Sequence, residues 1–158
     1  AFAMDVYARM KELGVKLPPT PAKGGVYTPA REFGEGEKLI YVSGCGPQEG
    51  PKSEYIGKLG KEMTLEQGQQ AARNCALNIL AVLEAKLGDL NKIKKFVKMT
   101  AFVSGESTFT QQPQVANGAS QLLVDIFGDA GAAARSAIAV NVLPGDIAVE
   151  IEMLLELK

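Results

Sequence analysis

Two segments of the chain carry apolar residues at the spacing of an amphipathic helix. The first follows Thr64-Leu65-Glu66-Gln67, in which the threonine hydroxyl and the glutamine three residues later form a capping box. Its apolar stripe continues to about Leu87, and Gly88 is placed to end the helix. The second stripe begins after Pro113, which suits a first helical turn, and stops at Gly128. The pattern therefore predicts two long helices.

Other segments alternate between apolar and polar residues, as strands with one buried face do. The segments 135–142 and 148–157 have this alternation, and we also expect strands at 26–33, 39–43 and 93–104. The two alternating segments flank the turn sequence Leu143-Pro144-Gly145-Asp146, so we expect them to pair as a C-terminal hairpin. The chain begins differently, with a short predicted helix at 4–13 and a linker at 16–25 rich in proline and glycine.

The expected hairpin would carry charge on the face that is turned away from the core. Arg135 alternates with Ile138 and Val140, and Glu150 and Glu152 alternate with an apolar set on the last strand. We expect the arginine and the carboxylates to share one face. Such a face is either solvated or a site for a small charged ligand.

The order of these elements is hairpin, helix, strand, helix, hairpin. It favours an α+β fold, in which a single mixed sheet carries both long helices on one face. The other face, with Leu154, Ala137 and Ala139 beside the charges, would be left uncovered. A face that mixes apolar and charged residues is often covered by another subunit, so we expect an oligomer.

Composition narrows the chemistry. The chain has 158 residues with a net charge of −1, two cysteines and no histidine. The absence of histidine excludes Ser-His-Asp and Cys-His catalysis and histidine-based metal sites, and we expect no metal. We do not expect nucleic acid as a partner, because the chain has no basic footprint. The sequence contains no signal-peptide pattern or membrane-spanning run, so we expect a cytoplasmic or organelle-matrix protein without a membrane partner.

Arg135 and Glu150 are the leading candidates for a functional site. The guanidinium can bind a carboxylate through two hydrogen bonds, although an ion pair with Glu150 or Glu152 across the hairpin would explain it as well. Glu150 can orient or deprotonate water if burial raises its pKa. Ser43 follows a strand in Ser43-Gly44-Cys45-Gly46, where glycine allows a ligand to approach the backbone. Tyr27 and Asn117 can reach a polar ligand or lie on ordinary surface. No histidine can activate Cys45, and we expect no catalysis by this thiol.

Several motifs resemble the Rid/YjgF family, the reactive-intermediate deaminases, whose members are often called L-PSP endoribonucleases. In chain order they are Tyr41-Val42-Ser43-Gly44, Gln70-Ala71-Ala72-Arg73-Asn74, Leu87-Gly88-Asp89-Leu90, Lys98-Met99-Thr100-Ala101-Phe102-Val103, Ala134-Arg135-Ser136-Ala137, Leu143-Pro144 and Val149-Glu150-Ile151-Glu152. Asn117-Gly118-Ala119-Ser120 and Phe127-Gly128 are similar to a less-studied bacterial-type branch. The resemblance covers about 26–157. It implies a division into an N-terminal helix and linker at 1–25 and a YjgF-like domain at 26–158.

The resemblance also implies a chorismate mutase-like fold and a homotrimer, in which the sheets form a central barrel with ligand clefts between subunits. Arg135 would hold a substrate carboxylate and Glu150 would position the attacking water. The remaining positions expected in the cleft are Tyr27, Ser43, Asn117 and Ala137. Ala137 and Cys45 depart from the residues that are common in the well-studied branch. A thiol role at position 137 is therefore excluded, although a backbone contact is not.

The implied activity is hydrolysis of enamines or imines of the 2-aminoacrylate type to 2-keto acids and ammonia, with no metal or organic cofactor. A non-catalytic trimer that binds small carboxylates or hydrophobic clients is the main alternative. An endoribonuclease is a weaker one, because the chain is slightly acidic and lacks histidine.

Overall fold

The computed structural model describes residues 5–49 and 54–158, which form one five-stranded mixed sheet with helices on one side. The three helices are α1 (Val6–Leu13), α2 (Leu65–Leu87) and α3 (Gln112–Phe127). The five strands are β1 (Ala30–Phe33), β2 (Leu39–Cys45), β3 (Ile93–Ser104), β4 (Ala134–Val140) and β5 (Val149–Leu157). The strands lie in the order β1-β2-β5-β3-β4, and only β3 and β4 are parallel. The predicted α+β fold class is confirmed.

The long helices form where their local signals place them. At the start of α2, the Thr64 hydroxyl accepts a hydrogen bond from the Gln67 amide at 3.2 Å, and the Gln67 side chain accepts one from the Thr64 amide at 2.8 Å. At the other end, Gly88 takes the left-handed conformation with φ 80°. Both groups of contacts are made within a few residues, which is why the sequence alone locates this helix.

The two long helices pack closely on each other at a glycine. A Cβ on Gly118 of α3 would lie 1.9 Å from the carbonyl oxygen of Gln69 on α2. A side chain at this position would therefore push the helices apart. Beneath them, the inward faces of β2, β3 and β5 supply fully buried residues such as Val42, Met99 and Ile151.

The expected C-terminal hairpin is wrong. β5 pairs with β2 and β3, whereas β4 pairs only with β3 and forms an edge of the sheet. The reason is that α3 connects β3 to β4 as a crossover, which makes those two strands parallel neighbours. The Leu143–Asp146 turn then carries the chain back to the middle of the sheet. Alternation identified both strands but carries no information about their partners.

The N-terminal region also differs from expectation in one strand. β1 begins at Ala30, so Tyr27 precedes the strand instead of lying in it. The predicted first helix is present as α1, which Gly14 ends; Met4 lies outside the described residues. Val6 and Met10 are buried, and the Arg9 side chain donates to the Asp125 carbonyl of α3 at 2.8 Å. The division of the chain after residue 25 stays a prediction.

The second face of the sheet carries no helix of the described chain. Tyr41 and Ile138 on this face are each almost half exposed, at 45% and 46%. Leu154 and Phe102 share it, because Leu154 pairs with Tyr41, and Phe102 with Ile138. The described residues contain no helix that is both long and apolar enough to span a membrane.

Candidate functional site

Glu150 lies at the start of β5, on the open face of the sheet. Its register partner on β3 is Phe102, and the β2–β5 pairing is interrupted beside it between Val42 and Cys45. Gly44 lies in this interruption. A Cβ there would come within 2.6 Å of Glu150 Oε2 and 2.9 Å of its carboxyl carbon. The carboxyl group of Glu150 therefore occupies the space that any other residue at position 44 would fill.

The environment of Glu150 favours its protonated form. Partial burial raises the pKa of this carboxyl, and the negative charge of Glu152 on the same strand face raises it further. A carboxyl group with a raised pKa can exchange a proton with a ligand nearer to neutral pH than an exposed glutamate can.

A cleft of about 240 Å³ opens in front of Glu150. Its walls come from the segment before β1, the end of β2, the turn before β5 and Val82 of α2. The lining residues are Pro21, Ala22, Lys23, Gly24, Tyr27, Pro29, Ser43, Gly44, Cys45, Gly46, Gln48, Val82, Pro144, Ile147 and Glu150. Three of the residues expected from the sequence, Tyr27, Ser43 and Glu150, therefore line one cleft.

Ser43 and Tyr27 each fix part of this wall. The Ser43 hydroxyl donates to the Thr28 carbonyl at 2.7 Å, and the Ser43 amide donates to the Pro29 carbonyl at 2.9 Å. The Tyr27 hydroxyl accepts from the Gly24 amide at 2.9 Å. The Tyr27 hydroxyl keeps its own proton for a ligand, whereas the Ser43 proton is already used. Ser43 can therefore offer a ligand only an acceptor oxygen in this arrangement.

The cysteines have the properties of buried thiols. Burial, with a smaller effect from the charge of Glu150, raises the pKa of Cys45 to about 12. Burial also raises the pKa of Cys75 well above its usual value. A cysteine that stays protonated at neutral pH is a poor nucleophile, because the thiolate is the reactive form. Cys45 is consequently a wall of the cleft and is not suited to covalent catalysis.

Arg135 lies away from this cleft, at the sheet edge beside α3. Its guanidinium donates to Asn117 Oδ1 at 2.8 Å, to Ser120 Oγ at 3.1 Å and to the Pro113 carbonyl at 3.3 Å. All three acceptors are neutral, and no ion pair formed within residues 5–49 and 54–158 includes Arg135. An arginine has five N–H donors, so two remain to bind a carboxylate.

The expectation that Arg135 and the carboxylates share a face is wrong. Arg135 pairs with Met99, which pairs with the buried Met153, so the arginine points to the helix side of the sheet. Glu150 and Glu152 point to the opposite side, and the alternative of an ion pair with Arg135 is also wrong. The cause is the edge position of β4, where α3 offers polar groups instead of a closed apolar layer. Ala137 lies on the helix side too, beside Arg135 and outside the Glu150 cleft.

The structure therefore divides the expected residues into two groups, which we name the Glu150 cleft and the Arg135 edge. The Glu150 cleft contains Tyr27, Ser43 and Glu150; the Arg135 edge contains Arg135, Asn117 and Ala137. Within a single chain the two groups lie on opposite faces of the sheet.

Sequence reasoning missed the roles of three residues in these groups. Ser120 holds Arg135, and its place one helical turn from Asn117, at i+3 on the same helix face, was a signal that could have identified it. Gly44 makes room for Glu150, which no sequence pattern reveals because the contact is long-range. Lys23 lines the cleft from within the segment expected to be a linker. Across the described residues, no three His, Cys, Asp or Glu side chains are placed to hold a metal ion.

Comparison with known proteins shows which family the chain resembles. A family model described as "YjgF/chorismate mutase-like, putative endoribonuclease" matches residues 7–157, which include all of α1 except its first residue. Protein TCP17 of Trypanosoma cruzi is 40% identical over 154 residues, covering 97% of this chain and 94% of TCP17.

Solved structures agree with this assignment. The crystal structure of Atu1372 from Agrobacterium tumefaciens, a protein of unknown function, is 38% identical with a TM-score of 0.88, and the alignment covers 97% of this chain and 92% of Atu1372. RidA from an Antarctic Psychrobacter is 27% identical with a TM-score of 0.60, over 87% of this chain and 94% of RidA. The chain belongs to the YjgF/chorismate mutase-like family.

Proposed function

We propose that the protein hydrolyses reactive enamines and imines of 2-amino acids to 2-keto acids and ammonia, in sites completed by neighbouring copies of the chain. The observation that carries the proposal is the pair of complementary groups. The Arg135 edge offers a cation that has no acidic partner among the described residues, and the Glu150 cleft offers a carboxyl group with a raised pKa. Neither group alone provides both carboxylate binding and proton transfer.

An oligomer can bring the Arg135 edge of one copy close to the Glu150 cleft of another. The uncovered sheet face carries exposed apolar side chains, including Tyr41 and Ile138, and burial against another copy would remove them from water. In a closed ring, the Arg135 edge of one copy can face the Glu150 cleft of the next. A homotrimer with a central barrel, as implied by the family resemblance, is the arrangement we propose.

The reaction follows from the two groups. Arg135 binds the carboxylate of the imino acid and holds the C=N carbon over Glu150. Glu150 accepts a proton from water while the water oxygen bonds to that carbon, and the proton is passed to nitrogen. The hydroxyl proton of the resulting adduct then moves through Glu150 to nitrogen as the C–N bond breaks, so that ammonia leaves and the carbon becomes the ketone of the 2-keto acid. Orientation and one proton relay are the only contributions that this chemistry asks of the protein.

The test is pyruvate release from 2-aminoacrylate generated by a serine dehydratase. We expect the wild-type protein to accelerate release above the uncatalysed rate. Arg135→Ala removes a charge-assisted interaction of about 1.5–3 kcal/mol, so we expect kcat/KM to fall at least roughly ten-fold. Glu150→Gln keeps the shape of the side chain but cannot accept a proton, and we expect it to lower kcat.

Arg73→Ala is the matched control, because Arg73 is a cation on α2 that belongs to neither group. Equal pyruvate release with and without the wild-type protein would contradict the proposal for this substrate. Calorimetry that shows 2-ketobutyrate binding without turnover would favour the alternative, a non-catalytic carboxylate-binding protein.

A further inference from the structure

The Glu150 cleft contains a second charged residue, the cation Lys23. Among the residues that line this cleft, only Lys23 and Glu150 have ionisable groups that carry charge near neutral pH. Lys23 lies in the segment before β1, and it forms no ion pair within the part of the chain that the structure describes. The cleft therefore contains an ammonium group that no carboxylate of residues 5–49 and 54–158 pairs with.

Lys23 is held in place by the wall it belongs to. Its Nζ donates to the Tyr27 carbonyl at 3.1 Å, and the Gly24 amide next to it donates to the Tyr27 hydroxyl at 2.9 Å. These two contacts close a short loop, 23–27, at the side of the cleft. A lysine ammonium has three donors, so two are left for a ligand after the contact with Tyr27.

We propose that Lys23 determines substrate specificity by binding a second carboxylate, so that the preferred substrates are imines of dicarboxylic 2-amino acids. This inference rests on the proposed function, in which Arg135 of a neighbouring copy binds the first carboxylate. A monocarboxylic imine uses that arginine but leaves Lys23 without a partner. A dicarboxylic imine satisfies both cations, while Glu150 stays free for proton transfer.

Calorimetry with stable keto acids tests the proposal without requiring turnover. The two probes are 2-ketoglutarate, with two carboxylates, and 2-ketobutyrate, with one. We expect Lys23→Ala to weaken 2-ketoglutarate binding roughly five-fold, the effect of a partly exposed ion pair of about 1 kcal/mol. We expect 2-ketobutyrate binding to change by less than about two-fold, and Lys23→Arg to retain the wild-type preference.

The ratio of the two affinities separates specificity from a structural effect. If Lys23 only stabilised the loop at 23–27, its loss would weaken both ligands equally, and the proposal would be overturned. Lys16→Ala is the matched control, because Lys16 lies earlier in the same segment and outside this cleft. We expect it to change neither affinity.

Failure of the specificity proposal is distinguishable from failure of the proposed function. Keto-acid binding that depends on Arg135 but is indifferent to Lys23 overturns only the role of Lys23. A wild-type protein that binds neither keto acid overturns the role of Lys23, whereas the proposed function is contradicted only by the absence of accelerated pyruvate release.

Discussion

At the scale of the residue, the pKa of Glu150 depends on its burial and on the charge of Glu152, two residues further along β5. Burial is the larger cause of its raised pKa, and the charge of Glu152 is the smaller one. The nearby carboxylate of Glu152 also raises the pKa of Tyr41. The carboxylates that the sequence places on one face therefore have unequal roles.

This inequality leads to a prediction about pH. A general base works when it is ionised, so activity should rise as the pH increases through the pKa of Glu150. Because that pKa is raised, the acid limb of the kcat/KM profile should lie at higher pH than an ordinary glutamate would give. Glu152→Gln removes a like charge and lowers the pKa, so we expect the limb to move to lower pH.

Glu156→Gln provides the comparison for this measurement. Glu156 lies on the same face of β5, but it pairs with Lys94 at 3.2 Å and is not a cause of the shift at Glu150. We expect its profile to match that of the wild type. An acid limb that stays in place in Glu152→Gln would show that Glu150 is not the group that limits the rate at low pH.

At the scale of the element, the sequence predicts helices better than strand partners. The cap of α2 at Thr64 and its end at Gly88 involve contacts within four residues, so the sequence places them to the residue. The partners of β4 and β5 depend on contacts made far along the chain, and the turn at Leu143–Asp146 resembles a hairpin turn although it joins strands that do not pair. The expected pairing of β4 with β5 also led to the wrong face of the sheet for Arg135.

The candidate site was predicted unevenly for a related reason. Glu150, Ser43 and Tyr27 come from three separate segments, and the family resemblance placed them in one cleft, where the structure also places them. Periodicity cannot show that Gly44 leaves space for Glu150, or that Lys23 returns to the cleft, because both facts depend on tertiary packing.

The strand β2 supplies a prediction about Gly44. In Gly44→Ala, the new Cβ would meet the Glu150 carboxyl group at 2.6–2.9 Å, and the flexible side chain would be displaced. A misplacement of about 1 Å costs roughly 100-fold in rate, so we expect turnover to fall by about 10–100-fold. The thermal unfolding midpoint should change little, because the clash involves the end of a side chain.

Gly118→Ala serves as the contrast, because we expect it to lower stability, whereas Gly44→Ala lowers turnover. Its Cβ would lie 1.9 Å from a backbone oxygen of α2, so the helices must separate, and we expect destabilisation of about 1–3 kcal/mol or more. Thermal unfolding and steady-state kinetics on both variants check these expectations. A fully active Gly44→Ala protein would show that the position of Glu150 above β2 is not required.

At the scale of the whole molecule, the proposed reaction sets a requirement on assembly. The Arg135 edge lies on the helix side of β4, and the Glu150 cleft lies by the open face of β5 on the other side of the sheet. One chain cannot bring them onto one small substrate without refolding its sheet. A closed homo-oligomer can, because each copy presents both surfaces and each surface meets the complementary one of a neighbour.

Mixing two impaired variants tests this requirement directly. Arg135→Ala alone is expected to lose at least roughly ten-fold in kcat/KM, and Glu150→Gln alone is expected to have a lowered kcat. If the two proteins are unfolded together and refolded as mixed oligomers, some sites receive Arg135 from one copy and Glu150 from its neighbour. Random assembly of equal amounts gives an intact pair at about a quarter of the sites, so we expect about a quarter of the wild-type activity.

The same mixture also distinguishes the geometry of the site from an error in the proposed residues. Each variant unfolded and refolded by itself provides the control, and its activity should not rise. If the activity of the mixed protein also does not rise while the oligomer forms, Arg135 and Glu150 do not act across a subunit boundary. Because the unmixed chain keeps these groups on opposite faces of its sheet, recovery of activity requires that the substrate be held between copies.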